Sequence, residues 1–329
     1  MTFIRRVEHK KLLFTGLTTL CVAIFALLHR NGDIQSQSLL SALWSTQNTL
    51  AHDILFHLRM PRVLSAFVTG GLLALSGCLM QALLQNPLAD PYILGVSGGA
   101  AVGGLLCTML GFSSFIIAGS WIGSLSVMII VWLLGRYSPR KEYTMLLIGI
   151  TIASLCSAIV SILLVTRHNT ALRGMLFWMM GDLSGSDYPI AGSMILIIGL
   201  IWSLRLANQL DVFVSGKQQA FALGVPVQRL EIQLYVLASL MTATAVMQAG
   251  CVGFIGLIIP HLLRLSIGNQ HRYLLPNAML MGGAFLILAD TFSQIIFAPE
   301  QLPVGIMITL IGTPVFIGLL KRNLSGSKA

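Results

Sequence analysis

Ten or so stretches of about 20 residues in this chain carry almost no charge, and such a stretch crosses the roughly 30 Å hydrocarbon core of a bilayer as a helix. They run over Leu12 to Leu28, Val63 to Leu83, Tyr92 to Leu110, Phe115 to Leu134, Tyr143 to Val165, Pro189 to Leu206, Ile232 to Ala249, Phe254 to Ile267, Leu275 to Ile296 and Val304 to Leu320. Backbone polar groups in lipid must be satisfied within their own segment, so these runs predict an all-α membrane protein of about ten transmembrane helices. Composition agrees: 56% of the 329 residues are hydrophobic and 9% are charged, against about 25% charged in soluble domains. The whole chain, 1–329, reads as one polytopic domain. Ten spans divide into two five-helix halves, and an odd-numbered unit repeated in one chain comes out inverted in the membrane. The first run follows Arg5, Arg6, Lys10 and Lys11; no small-residue cleavage site comes after it, so it reads as an uncleaved helix.

The net charge of +9 does not indicate nucleic acid, because the basic residues stand singly or in small groups at the ends of apolar runs and form no stripe. Lysine and arginine are retained on the cytoplasmic side during insertion. With the N-terminus inside, about 15 of the 20 fall in cytoplasmic segments: the N-terminus, Arg136 to Lys141, Arg205 to Arg229, Arg264 to Arg272 and Lys321 to Lys328. Arg30, Arg59, Arg62, Arg167 and Arg173 fall outside. That bias predicts an even number of spans and both termini in the cytoplasm. Eight or nine spans stay open, because Phe254 to Ile267 is short and holds Pro260, His261 and Arg264. The five cysteines each stand inside an apolar run, far from any C-x-x-C spacing, and read as packing residues. Gly99-x-x-x-Gly103 and Gly119-x-x-x-Gly123 let helix backbones approach closely, within the bundle or across a dimer face.

Four segments do not fit simple turns. Arg59-Met60-Pro61-Arg62 puts two guanidinium groups at the outer mouth of the second span, either snorkelling to the interface or offering a fork to carboxylates of an external partner. Gln85 to Pro91, followed by Gly95 to Gly99, is either a tight polar turn or the narrow inner end of a pathway gated by Leu88. In the long cytoplasmic segment of about 207–231, Lys217 to Gly224 reads as a short amphipathic helix stopped by Gly224 and Pro226, with a membrane-surface or partner-binding role. Cys251 to Arg264 carries glycines at three-residue spacing before Pro260-His261; a neutral His261 capping a kinked helix fits it better than a metal ligand.

Catalytic and metal-binding motifs are missing. Gly216-Lys217 is followed by Gln218, and Asp211 stands where a phosphate loop needs its first glycine, so the chain has no Walker A site of its own. Asp290 is the clearest acid within an apolar run; an acid there needs a partner, and a helix-packing hydrogen bond fits better than a coupling role.

Taken in order, the segments RMPR (Arg59 to Arg62), SGCLMQALLQNPLADPYILGVSGGA (Ser76 to Ala100), FWMMGDLSG (Phe177 to Gly185), ALGV (Ala222 to Val225), GFIGLIIPHLLRL (Gly253 to Leu265), HRYLLP (His271 to Pro276), LAD (Leu288 to Asp290) and LPVG (Leu302 to Gly305) resemble the FecCD-type permeases of ABC importers for ferric siderophores, haem and cobalamin. The resemblance implies a homodimer in the bacterial inner membrane, with ATPase subunits that hold ATP and magnesium below and a periplasmic or lipid-anchored binding protein above. It implies that Arg59 and Arg62 meet acids of the binding protein, and that Gln219, Ala222, Leu223, Gly224 and Val225 fit a cleft on the ATPase. Leu88 and Tyr143 would form the inner gate. Two positions depart from the family pattern: Gln294 replaces a basic residue four positions after Asp290, and Gln301 replaces the glutamate before LPVG.

Two other classes compete with this reading. An ion-coupled transporter needs mid-span acids or paired broken helices, and an intramembrane hydrolase needs a nucleophile beside a base. For the cargo, an iron chelate leads and cobalamin follows, because no ligand constellation separates them.

Overall fold

The computed structural model describes residues 2–28, 50–138, 141–165, 171–184, 189–296 and 300–326. Arg30, Arg140, Arg167 and Lys328 of the orientation count, and Gly185 of the FWMMGDLSG segment, lie outside the described residues. In chain order the helices are α1 (Thr2–Leu28), α2 (Leu50–Leu83), α3 (Val96–Met109), α4 (Ile116–Gly135), α5 (Lys141–Val165) and α6 (Ala171–Met179). They continue as α7 (Pro189–Val214), α8 (Lys217–Ala222), α9 (Val227–Ala249), α10 (Ile255–Ile267), α11 (His271–Ile295) and α12 (Val304–Gly326). Among the described residues seven helices are long and apolar enough to cross a membrane, and Val96–Met109, Ile255–Ile267 and Val304–Gly318 are shorter apolar stretches. Together they match the ten runs.

Burial sorts the helices into core and rim. Within their most apolar windows α2 is 83% buried, α9 72% and α11 61%, whereas α1 and α5 are each 17% buried. The central helices approach through glycine: a Cβ on Gly70 would collide with the carbonyl of Gly282, and one on Gly77 with that of Gly256. The two small-residue motifs face each other in the same way, Gly99 against Gly123 and Gly103 against Gly119, which is packing of α3 on α4 within the bundle. Gly103→Ala is therefore expected to lower stability by about 1 to 3 kcal/mol. Gly16→Ala, which meets nothing within 4 Å, is expected to be neutral; thermal unfolding in detergent compares the two.

Three segments differ from expectation. The second span begins at Leu50, not Val63, because Ile54–Arg59 forms a π-helical stretch in which Met60 N–H reaches back to Leu55. That wider turn accepts Pro61, which has no N–H to give, without ending the helix. The cytoplasmic connection is shorter than 207–231: α7 continues to Val214 with Ala207, Leu210 and Phe213 buried, and α9 begins at Val227. Lastly, the third span is not one helix. Pro91–Leu94 is a 3-10 turn and α3 starts only after Gly95.

Candidate functional site

The segment between α7 and α9 forms a small exposed knob. Gly216 opens α8, and Gly224 closes it at φ +81°, a left-handed conformation that glycine adopts without a Cβ clash. Three backbone bonds seal the end: Leu223 N–H to Gln219 O, Gly224 N–H to Phe221 O and Val225 N–H to Ala220 O. Gln219, Ala222, Leu223 and Gly224 are exposed, Val225 is half-buried, and Ala220 is the buried anchor. Phe221 and Leu223 expose 76% and 72% of their surface, an apolar pair on a polar segment, which is the character of a docking surface. One ion pair and one hydrogen-bonded contact fix its base. Lys217 meets Glu231 of α9 at 2.5 Å, and Asp211 of α7 accepts the N–H of His271 at 2.8 Å while its Oδ1 lies 2.7 Å from His271 Nδ1. The knob is thereby tied to α9 and, through the end of α7, to the start of α11.

At the opposite end of α11 lies a buried ion pair. Arg62 Nε and Nη2 each donate to Asp290 at 2.9 Å, a bidentate fork. Gln294 Nε2 donates to the same carboxylate at 2.6 Å, and Arg62 Nη1 donates to Gln301 at 3.0 Å. The two positions that depart from the family pattern thus both rest on this pair. Two amides there add no charge on either side, so the pair stays balanced. Neither arginine stands free at an outer mouth: Arg59 is 4% and Arg62 9% exposed, and Arg59 Nη1 donates to Leu27 O. The reason is the upstream extension of α2, which carries both residues inside the bundle, where burial demands partners. Asp290 is the helix-packing acid expected of it.

The two gate candidates lie on different elements. Leu88, 38% exposed, sits in the irregular connection after α2, and Tyr143, 63% exposed, sits in the first turn of α5. Gly95, at the end of that connection, packs against Gly149 and Ala153 of α5. On α5, Thr151, Ser154, Ser157 and Ser161 are all exposed, and at 100° per residue they share one face with Tyr143. Thr151, Ser154 and Ser161 return their hydroxyl hydrogens to carbonyls one turn back at 2.9, 3.0 and 2.9 Å. Sequence reasoning missed this face, although the hydroxyl spacing of three, three and four residues inside one apolar run would have disclosed it.

A pair of broken helices was missed as well. The connections at 84–95 and 250–254 are separated by five helices that span the membrane in the ten-run count, so they belong on opposite sides, yet they touch. Val252 N–H donates to Tyr92 Oη at 3.1 Å. The short helices explain this: α3 has 14 residues and α10 has 13, which rise about 21 and 20 Å, short of the roughly 30 Å core. Their N-caps, Gly95 and Phe254, are both left-handed, at φ +80° and +68°. They are the third and eighth apolar runs, which hold the same place in the two five-helix halves of the ten-run count.

Among the described residues no cluster of three or more His, Cys, Asp or Glu side chains is placed to hold a metal ion. The family model of the FecCD transport family matches residues 17–322. The chain is 38% identical over 325 residues to the hemin transport system permease protein HmuU of Yersinia pestis, covering 94% of this chain and 96% of that protein. It is 38% identical over 274 residues to the vitamin B12 import system permease protein BtuC of Salmonella paratyphi A, covering 82% and 83%. A solved metal-chelate type ABC transporter in an inward-facing conformation is 29% identical and superposes with a TM-score of 0.85, covering 95% of this chain and 99% of that one. With its many apolar helices and a match over nearly its full length, the chain belongs to the FecCD transport family and is a membrane permease subunit of an ABC importer, partnered by an ATPase and a substrate-binding protein, and not an enzyme.

Proposed function

We propose that this permease carries an iron chelate, haem in the first place, across the bacterial inner membrane as a homodimer with both termini in the cytoplasm. The observation that carries the cargo assignment is the end-to-end similarity to the hemin permease. A corrin chelate is the second reading, favoured by the equal identity to the vitamin B12 permease over a shorter region. The homodimer is supported by the hydroxyl face of α5, a rim helix: four hydroxyls on one exposed face suit the wall of a wet passage shared with a second copy better than lipid. Leu88 and Tyr143 form the inner gate of that passage. The knob at Gln219, Ala222, Leu223, Gly224 and Val225 seats in the ATPase, which holds ATP and magnesium; this chain holds no cofactor. ATP binding draws the knobs together and tilts the two copies between outward-open and inward-open states.

Docking of the binding protein falls to the end of the molecule that holds Arg59 and Arg62. Since both are buried and Arg62 is paired with Asp290, docking would exchange one side of that pair for a partner carboxylate. It is a rearrangement and not a simple surface contact.

The deciding experiment is uptake of radiolabelled haem, a ferric siderophore and cyanocobalamin into proteoliposomes holding the permease, its ATPase and its binding protein. Uptake is expected to require ATP and to favour haem. Equal uptake without the ATPase, driven by an ion gradient, would overturn the reading, and preference for cyanocobalamin would move the cargo to the corrin chelate.

A further inference from the structure

Gln85, just past the end of α2, holds φ +46°; among the described residues only Phe254 shares a left-handed backbone without being glycine. Glycine takes such a φ freely and asparagine more readily than most, but a longer side chain persists there only where surrounding contacts impose it. Gln85 makes such a contact. Its Nε2 donates to the carbonyl of Phe213 at 3.2 Å, across 128 positions of sequence. Phe213 is the fully buried residue in the last turn of α7, and the same carbonyl accepts the N–H of Gly216, which opens α8, at 3.1 Å. Lys217 of α8 lies over the Phe213 ring, 5.7 Å from its centre. A carbonyl oxygen has two lone pairs, and here one serves the root of the knob and the other the connection that follows α2.

Beyond Gln85 that connection is bonded to itself. Asn86 N–H donates to Gln81 O at 3.1 Å, Leu88 N–H to Asn86 Oδ1 at 2.9 Å, and Ala89 N–H to Asn86 O at 3.1 Å. The asparagine side chain closes its own turn in this way, so residues 86–89 move as one piece, and a displacement of Gln85 reaches Leu88 without being lost in slack chain.

We infer that Gln85 is a positioning residue that carries movement of the knob into the Leu88-bearing connection through its bond to the Phe213 carbonyl. The inference rests on the reading of the knob as the seat of the ATPase. It needs a side-chain donor at position 85 that reaches Phe213 O, which explains a glutamine where backbone geometry alone favours glycine.

A reporter on the connection tests this without cargo. In the full-length chain with its five native cysteines replaced by serine and Leu88→Cys added, reconstituted with its ATPase, the rate of maleimide labelling at position 88 is expected to differ about tenfold between the nucleotide-free complex and the complex trapped with ATP and vanadate. Gln85→Glu, of the same shape but without a donor, is expected to shrink that difference to about threefold or less. Gln85→Gly, which suits the backbone and removes the side chain, is expected to do the same, whereas Gln85→Lys, which supplies an N–H donor of similar reach, is expected to keep it. A merely structural turn would tolerate the isosteric and glycine variants. No difference in the parent, a full difference in Gln85→Glu or Gln85→Gly, or a loss in Gln85→Lys equal to that in Gln85→Glu overturns the link. Gly224→Pro separates the two readings: if it erases the difference at position 88 while Gln85→Glu leaves it whole, the knob stands and the Gln85 link falls; if it leaves the difference whole, the knob falls as the ATPase seat and the link falls with it.

Discussion

Asp290→Ala is expected to lower the unfolding free energy of the detergent-solubilised permease by about 3 to 5 kcal/mol, because it leaves the Arg62 guanidinium charged, buried and without its fork. The double change Arg62→Met with Asp290→Leu is expected to recover most of that loss, since two apolar side chains of similar volume need no partners. Thermal unfolding of Arg62→Met, Asp290→Leu and the double variant closes a double-mutant cycle, with a coupling energy of about 2 kcal/mol or more expected for residues in direct contact. Losses that merely add would mean that the pair contributes no more than packing. The same pair accounts for the two glutamines. Gln294 and Gln301 bond to opposite members of it, so Gln294→Arg or Gln301→Glu alone unbalances a buried site, while the two together restore neutrality.

The second large effect is on transport. Gly224→Pro cannot hold φ +81°, since proline is locked near −65°, and it removes the N–H that bonds Phe221 O. The end of α8 must then rebuild, moving Leu223 and Phe221 away from the surface they present. Uptake in the complete proteoliposome system is expected to fall at least about tenfold, with a thermal midpoint close to the parent's because the knob is exposed and outside the core. Gly224→Ala, strained but able to donate its N–H, should lose less. Full uptake in a folded Gly224→Pro variant would remove the knob from the coupling mechanism.

Much of this was legible from the chain itself. Hydropathy located ten helices to within a few residues for most boundaries, because a bilayer imposes one length and one composition on whatever crosses it. Gly224 and Pro226 marked the end of the short helix for local reasons of backbone geometry. The glycine pairs announced close packing, and Asp290 announced a partner. Less local features were not legible. The helical stretch before Pro61 lies outside the apolar run, and the polar residues Asn208, Gln209 and Asp211 made the end of α7 look like a loop, although Ala207, Leu210 and Phe213 bury its other side. The short helix α6, Ala171–Met179, was not expected at all, being too brief for a hydropathy signal.

By itself, then, the sequence determined that the chain lives in lipid as a bundle of helices, which of its segments are too polar or too broken to be plain spans, and to which family those segments belong. Only the tertiary structure decided which groups meet: Arg62 with Asp290 across 228 positions of sequence, Gly103 with Gly119, and Tyr92 with a chain break at Val252 that the span count put on the other side of the membrane. Helix formation in lipid is settled within each segment by its own backbone bonds. The partner of a buried charge, and the depth at which a helix stops, are settled by the neighbours that pack around it.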